Sequence, residues 1–475
     1  MSNPATPVAG ARSAAAAPVS SSPLGAADLR ALRDAVSGEV LVAGDPRFDA
    51  VRGLHNTHYS RTPAAIVRPA DAIDVSRAVL TARELGLELA VKSGGHSVAG
   101  HSSTDGGILI DMRTLNAVDI DPIRWVGSAQ GGATAGEYTL AAHAHGMATP
   151  FGDTLSVGLG GLTLGGGIGW LARKHGMTID NLLEADLVTA DGRLVSVSEE
   201  SDPDLFWAIR GGGGNFGIVT RFRYRLHPVE IVSGGALFLP LSREVLRGLV
   251  DASMAAPEAL TQISFVMRMP PAPFVPAELV GTPSVVVMPV FSGPLDEAAA
   301  AMASFRALAT PLIDMVGPMP YPAQYQFTAE GEAPSAGVLR SSFLPDLSDA
   351  ALDAIVERHS SPAPGMPMLQ LRVLGGAMAR VPADATAFAH RDTPVMATVI
   401  TGTTEDHYAE ALAWTEAYHA ELSVGSTGVY SNFLAEEAGR LSQAYPGATY
   451  ERLVQVKRRV DPQNVFRGNH NIDPS

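Results

Sequence analysis

The sequence predicts an α+β protein with two or three domains. A chain of 475 residues is longer than one hydrophobic core usually organises. Glycine (48 residues) and proline (34 residues) are abundant and only 17% of the residues are charged, which is typical of a loop-rich mixed protein rather than a helical bundle. Dense glycine clusters end near Pro228, where longer β-rich segments begin. Apolar residues make up 46% of the chain, enough for a sizeable core.

Before Pro228, short helices and short strands alternate. Asp71 or Asp74 stands where a helix should begin and Gly86 just past its end, and both residue types favour those positions. The segment Ala190-Asp191-Gly192-Arg193 is typical of a hairpin turn. We predict helices over 26–36, 71–86, 134–145 and 202–209, and strands over 63–69, 87–91, 107–112, 116–120, 125–131, 187–189, 194–197 and 218–226.

After Pro228, longer strands and helices follow one another. We predict strands over 236–239, 263–269, 284–290, 369–374 and 395–400, and helices over 243–255, 295–308, 348–359 and 404–422. This pattern favours an antiparallel sheet covered by helices. The predicted division is a tail of disorder-prone composition at 1–25, a glycine-rich domain at 26–229, a second domain at 230–425 and a closing segment at 426–475.

Charge and composition exclude several classes of function. The net charge is −15 and no long run of Lys or Arg occurs, so we expect no nucleic-acid partner. No stretch of 18 apolar residues and no signal-peptide pattern occurs, so we expect no membrane partner and a cytoplasmic location. The absence of cysteine excludes disulfides and thiol catalysis. A metal site is not expected, because His143 and His145 would point apart on a helix.

Three glycine clusters are the clearest functional signal: Gly94-Gly95, 158–169 and 211–217. Glycine lets backbone N–H groups approach the oxygens of a nucleotide closely. The third cluster matches G-x-G-x-x-G, but a predicted helix precedes it and a strand follows it, the reverse of a dinucleotide-binding fingerprint. His96 follows the first cluster, and its chemistry alone leaves two roles open: a turn residue, or a nucleophile toward a flavin methyl group.

Several blocks of sequence, in the right order, resemble the PCMH-type (vanillyl-alcohol-oxidase-like) flavoproteins and, among them, the berberine-bridge-enzyme-like oxidases. The blocks are Val91–Ser97, Gly158–Gly169, Asp204–Thr220, Tyr430–Phe433, Tyr450–Leu453 and Val460–Phe466. The resemblance implies an α+β fold with a two-lobed PCMH-type FAD-binding domain plus a substrate domain whose antiparallel sheet is covered by helices. The segment 426–475 would complete the FAD-binding domain.

The same resemblance implies FAD held covalently through His96. The residues that it assigns to the cofactor are His96, Lys92, Ser93, Gly94, Gly95, Ser97, Gly100, Pro150, Thr154, Gly158, Gly161, Leu162, Gly165, Gly217, Ile218, Val219, Tyr430 and Asn432. Lys92 stands where arginine is usual. Thr154 stands at or near the position of a second, cysteinyl link in many plant members, so this chain is expected to carry a single link, as some bacterial members do.

On the substrate side, Gln370 and Arg372 alternate along a predicted strand and therefore share one of its faces. In bacterial members the similar strand lines the active site, so the resemblance points to Gln370, Arg372 and Tyr430 as catalytic residues. A solvated strand face is the alternative for the first two, and packing without titration is the alternative for Tyr430. Phe433 cannot accept a proton, so the tyrosine base of some plant members is not transferred, while His101 is either a proton carrier or a turn residue.

The implied activity is an FAD-dependent oxidase. A small secondary metabolite with an alcohol, amine or phenol group would pass a hydride to flavin N5, and O2 would accept the electrons and form H2O2. Two alternatives stay open: a flavin-bearing protein that sequesters a drug-like molecule without turnover, and a flavin oxygenase or dehydrogenase. The partners expected are the small-molecule substrate and O2, and the sequence does not define an oligomeric state.

Overall fold

A computed structural model describes residues 24–435 and 439–475, except for the side chains of 330–332. The predicted tail lies almost wholly outside the described residues. The first lobe contains α1 (Ala26–Ala35), β1 (Glu39–Leu41), α2 (Phe48–Arg52), β2 (Ala65–Arg68), α3 (Ala72–Glu84), β3 (Leu89–Lys92) and β4 (Ile108–Asp111). Its sheet has the order β1-β2-β4-β3, in which β2, β3 and β4 are parallel. Asp71 caps α3 as predicted, because its carboxylate accepts from the Ile73 and Asp74 amides.

The second lobe is built on a five-stranded antiparallel sheet of order β5-β6-β10-β8-β9. Its elements are β5 (Val118–Asp121), β6 (Val126–Gln130), α4 (Ala135–His143), β7 (Met147–Ala148), α5 (Leu159–Gly165), α6 (Ala172–His175), β8 (Leu182–Val188), β9 (Leu194–Val197), α7 (Pro203–Ile209), β10 (Ile218–Arg225) and β11 (His227–Pro228). The third glycine cluster lies between α7 and β10, which confirms that it is not a dinucleotide-binding fingerprint. Part of the second cluster, expected as a loop, forms helix α5.

The remainder of the chain up to residue 425 forms one antiparallel sheet of nine strands with covering helices. Its elements are β12 (Ile231–Gly234), β13 (Leu237–Pro240), α8 (Arg243–Ala255), β14 (Leu260–Arg268), β15 (Pro283–Phe291), α9 (Ala298–Arg306), β16 (Ile313–Asp314), β17 (Gly317–Pro320), β18 (Ala336–Leu344), α10 (Asp349–Ser360), β19 (Met366–Val373), α11 (Ala377–Arg380), β20 (Val395–Thr403) and α12 (Tyr408–Leu422). The central order is β13-β15-β14-β19-β20-β18. The sequence predicted β13, β14, β15, β19 and β20.

The two faces of this sheet pack against different partners. One face carries Leu369 and Leu371 into a core shared with helices α8, α10 and α12. The other face packs Ile263 and Phe265 against Trp170 of the second lobe. The sheet therefore presents one face to its own helices and the other to the glycine-rich part of the chain.

The C-terminal segment returns to the second lobe through α13 (Leu441–Ala444) and α14 (Ala448–Val460). Lys457 on α14 is fully buried, and its ammonium group donates to the Asp461 carboxylate at 2.7 Å and to the Asn215 and Phe466 carbonyls at 2.9 Å each. The Asn215 side chain in turn accepts from the Ile472 amide. These contacts support the proposed assignment of 426–475 to the glycine-rich domain.

Candidate functional site

The loop that follows β3 is held by close backbone contacts that only glycine permits. A side chain on Gly94 would overlap the Gly158 amide nitrogen, and Gly95 has φ +79°. The Ser93 hydroxyl donates to the Gly131 carbonyl at 2.8 Å and accepts from the Gly160 amide at 3.2 Å. The first glycine cluster is therefore tied directly to the start of helix α5.

His96 lies at the end of this loop, half-buried, with its ring stacked on His55 at 4.2 Å between centroids. Burial, together with the smaller effects of the neighbouring His55 and Lys92, lowers the pKa of His96 to about 4. At neutral pH its imidazole is therefore uncharged and carries a free nitrogen lone pair. His55 was not predicted from the sequence, because it lies far from the glycine clusters along the chain.

Lys92 supports the loop from beneath. Its ammonium group donates to the carbonyl of Val51 at 2.9 Å and to that of Gly53, and burial lowers its pKa to about 8. A side chain on Gly95 would meet the stem of Lys92. The side chain of Lys92 thus positions the loop that carries His96, and a direct role at the cofactor stays a prediction.

The turn after His96 is closed by local hydrogen bonds. The Ser97 hydroxyl accepts from the His101 amide at 3.1 Å, and the Ser97 carbonyl accepts from the Gly100 amide. A side chain on Gly100 would overlap the ring of Tyr59. Burial lowers the pKa of His101 to about 3, and its ring lies edge-on to His470 of the C-terminal segment. These contacts favour the turn role of His101.

The second and third glycine clusters approach the same region. A side chain on Gly131 would overlap the Val219 carbonyl, and the Gly131 amide donates to the Thr220 carbonyl at 3.0 Å. Gly217, with φ +155°, leads into Ile218 and Val219 at the start of β10. The three glycine clusters, far apart in sequence, are thus brought to one place through tight backbone packing.

Helix α5 is joined to the C-terminal segment by Tyr430 and Asn432. The Asn432 amide group donates to the Leu162 carbonyl at 3.2 Å and to the Tyr430 hydroxyl at 3.0 Å. The Tyr430 hydroxyl also accepts from the Gly167 amide at 2.8 Å, and a side chain on Gly165 would overlap Asn432. Burial raises the pKa of Tyr430, so its phenol stays protonated at neutral pH and is better suited to donate a hydrogen bond than to act as a base.

Gln370 and Arg372 are both buried on β19, so the alternative of a solvated strand face is wrong. The Arg372 guanidinium donates to the Asp153 carboxylate at 2.7 Å, to the Gln370 side-chain oxygen at 3.0 Å and to the Ile168 carbonyl. Gln370 also donates to Asp153, at 3.3 Å. Arg372 lies 5.4 Å from the centroid of the Phe433 ring. The strand face is therefore linked to the second glycine cluster and to the C-terminal segment.

Asp153 is a residue that the sequence analysis missed. It precedes Thr154, in the half-buried loop between Pro150 and helix α5. The signal that could have found it is an acidic residue beside a predicted cofactor position. Pro150 itself accepts through its carbonyl from the Thr178 hydroxyl at 2.7 Å, which fixes the start of that loop.

The residues around these loops fit the oxygen-rich groups of a dinucleotide. Within the described residues, buried side-chain oxygens of Ser156, Asn469 and Asn471 have no hydrogen-bond partner in the protein. Buried polar atoms are normally paired, so these oxygens are suited to a polar ligand. Gly161 is exposed, and a side chain there would meet nothing within 4 Å. The Ser156 hydroxyl can donate or accept a hydrogen bond, and the two amide oxygens accept from groups such as ribose hydroxyls. These atoms and the open space at Gly161 suit FAD.

Other classes of site find little support in the described part of the chain. No group of three or more His, Cys, Asp or Glu side chains there could hold a metal ion. Among the same residues, none of the helices combines the length and apolarity needed to cross a bilayer.

Comparison with known proteins agrees with this site. Residues 63–198 match a family model described as FAD binding domain, and residues 429–473 match one described as Berberine and berberine like. The (R)-6-hydroxynicotine oxidase of Paenarthrobacter nicotinovorans is 31% identical over 457 residues, which cover 92% of this chain and 97% of that protein.

Solved structures give the same picture. The crystal structure of 6-hydroxy-D-nicotine oxidase from Arthrobacter nicotinovorans has a TM-score of 0.82 at 29% identity and covers 93% of this chain and 98% of its own. A structure of glucooligosaccharide oxidase from Acremonium strictum, whose FAD is described as 6-S-cysteinyl, 8α-N1-histidyl, has a TM-score of 0.84 at 25% identity, with 94% and 99% covered. Both matches confirm the predicted α+β fold.

Proposed function

The chain belongs to the FAD-linked oxidoreductases of the berberine-bridge-like family, and from this premise we propose that it is an oxidase of a small alcohol, amine or phenol with a single covalent flavin link. The observation that carries the proposal is the position of His96. A neutral imidazole ends a glycine loop that packs directly against the second glycine cluster at Gly158. The similarity to hydroxynicotine oxidase supports an oxidase acting on a small molecule.

FAD, when bound, would accept a hydride from the substrate and then pass the electrons to O2, which would be reduced to H2O2. The residues that would hold it are His96 through its imidazole, the backbone of Ser93 to Ser97, and Tyr430 with Asn432 beside them. The glucooligosaccharide oxidase has a cysteinyl as well as a histidyl link, whereas this chain contains no cysteine. That composition excludes a cysteinyl link and supports the proposal of a single link through His96.

Arg372 is the proposed substrate-orienting residue. Asp153 and Gln370 fix its guanidinium, so its orientation needs no further ordering when a substrate enters. A guanidinium stabilises an oxygen that gains negative charge, which makes an O–H group easier to deprotonate before its carbon is oxidised. The protonated hydroxyl of Tyr430 provides a second hydrogen-bond donor nearby.

The test is anaerobic mixing of the purified yellow protein with a panel of small aryl alcohols, amines and phenols. We expect at least one class to bleach the flavin, and admission of air to restore the colour with formation of peroxide. If dithionite bleaches the flavin but no member of the panel does, the oxidase proposal is contradicted and a sequestering protein is favoured. Reoxidation without peroxide would instead indicate an oxygenase or a dehydrogenase.

A further inference from the structure

We propose that the substrate is an uncharged, largely apolar molecule with one polar, oxidisable end, and that its apolar part lies on four side chains of the nine-stranded sheet. These four, called the apolar row, are Met267, Leu339, Met368 and Ile400. The inference rests on the proposed oxidase function and adds to it the chemical class of the substrate.

The strand register places the apolar row beside Gln370 and Arg372. Gln370 pairs with Phe265 on β14 and with Thr398 on β20. Residues two positions apart along a strand have their side chains on the same face of the sheet. Met368 is two residues from Gln370 and pairs with Ile400.

The same register extends the row to both neighbouring strands. Ile400 pairs with Leu339 on β18. Val266 pairs with Leu369, which places Met267 opposite Met368. The four side chains of the apolar row therefore form one line across β14, β19, β20 and β18, on the face that carries Gln370 and Arg372.

Burial along this face falls steadily with distance from Tyr430. The line of side chains that contains Arg372 includes Met396 and Phe343, which pack with Tyr430 in one buried cluster. The next line contains Gln370 and is also buried. All four side chains of the apolar row are half-buried, and beyond them Met366 is 73% exposed. This face of the sheet therefore becomes accessible to solvent at the apolar row.

The chemistry of the face changes at the same place. Polar groups next to Arg372 already bond to one another: Gln370 to Asp153, and Thr398 to Ser341 at 3.1 Å. The apolar row has only thioether and aliphatic groups, which offer the hydroxyls of a sugar no hydrogen-bond donor and only the weak acceptor of a thioether sulfur. Covering unpaired hydroxyls is unfavourable, whereas covering alkyl or aryl carbon is favourable. Methionine side chains also adapt to flat ring systems. The apolar row therefore favours an apolar substrate over an oligosaccharide.

The experiment measures binding to the purified flavoprotein without turnover. A series of 4-alkylphenols, from methyl to hexyl, is titrated while the visible flavin bands are followed, and xylobiose and cellotriose are titrated in parallel. We expect the dissociation constant of the phenols to fall up to about fourfold for each added methylene group. The two sugars should give no response at the highest phenol concentration used.

Variants locate the effect on the apolar row. Met368→Gln and Ile400→Gln should each flatten the dependence on chain length, whereas Met368→Leu should retain it. The matched control is Met254→Gln, a change of the same kind at an exposed position of helix α8, which should leave the dependence unchanged. Retention of the wild-type dependence in both glutamine variants would overturn the proposal.

The remaining outcomes are also decisive. A response to the sugars equal to that of the phenols, no dependence on chain length, or no response to any phenol would each overturn the apolar substrate class. These failures differ from failure of the oxidase proposal. Bleaching of the flavin by an oligosaccharide would support the oxidase proposal and contradict the apolar substrate class. Tight phenol binding without bleaching by any substrate would support the apolar substrate class and contradict the oxidase proposal.

Discussion

The His96 loop and the Arg372 strand face are built on opposite principles. The loop uses backbone: Gly94, Gly131 and Gly158 allow segments far apart in sequence to touch through main-chain atoms. The strand face uses side chains: Arg372 is fixed by Asp153, which lies more than 200 residues away along the chain. A backbone site tolerates few substitutions, whereas a side-chain site can change while the fold persists. From this difference we expect cofactor binding in the first region and substrate choice in the second.

The largest effect should follow loss of the proposed link itself. His96→Ala removes the nucleophilic nitrogen, so we expect all of the yellow colour to leave the pellet when the protein is precipitated with acid. His145→Ala, a change at an exposed histidine of the second lobe, should leave the pellet yellow. A yellow pellet from His96→Ala would show that the flavin is attached elsewhere.

Removal of the Arg372 guanidinium should slow turnover while the flavin stays bound. Arg372→Leu is expected to lower kcat/KM by about 100-fold or more, since one charged hydrogen-bond donor at the reacting group is lost. The substitution also leaves the half-buried carboxylate of Asp153 without its ion pair, so the free energy of unfolding should fall by about 3 kcal/mol.

Two further variants separate the two effects of Arg372→Leu. Adding Asp153→Asn to it should recover much of the stability but none of the rate. Arg243→Leu breaks an exposed ion pair and should cost less than about 1 kcal/mol. Full activity in Arg372→Leu would remove this residue from the substrate site.

Glycine substitutions should divide the loop into structural and cofactor-facing positions. Gly94→Ala forces a side chain into the Gly158 backbone and should destabilise the protein by about 1–3 kcal/mol. Gly161→Ala meets no protein atom, so the flavin-free protein should keep its melting temperature while flavin content falls. Gly317→Ala, also in open space but on β17, should change neither property. Equal flavin content in Gly161→Ala and wild type would place the cofactor away from helix α5.

The smallest effect is a dependence of stability on pH at the His96 turn. Burial lowers the pKa of His101 to about 3, below the ordinary value of 6.5, so the unfolded chain binds a proton at a pH where the folded chain does not. The stabilisation is complete above about pH 6.5 and is lost as the pH falls toward 3. His101→Gln should therefore flatten the decline in melting temperature over that window, and an unchanged decline would contradict the assigned burial.

Local signals in the sequence were sufficient for elements that depend on nearest neighbours. Asp71 and Gly86 marked helix α3, and the alternation of Gln370 and Arg372 with leucines gave the correct faces of β19. Strand β18 was missed because its serine, glycine and arginine residues show no simple alternation, and its burial comes from β20 and α12. Helix α5 was missed because glycine is a poor helix former, and its tertiary contacts stabilise it here.

The sequence by itself determined the family, the expectation of FAD and the candidate histidine, because glycine clusters and the motifs around them lie in short, continuous stretches. The tertiary structure was needed to show that His55 stacks on His96 and that Asp153 orients Arg372. It was also needed to show that the four side chains of the apolar row share a sheet face with Gln370 and Arg372. Those contacts join residues from separate strands and loops. Their positions depend on how the sheet packs against the lobes, which no local pattern records.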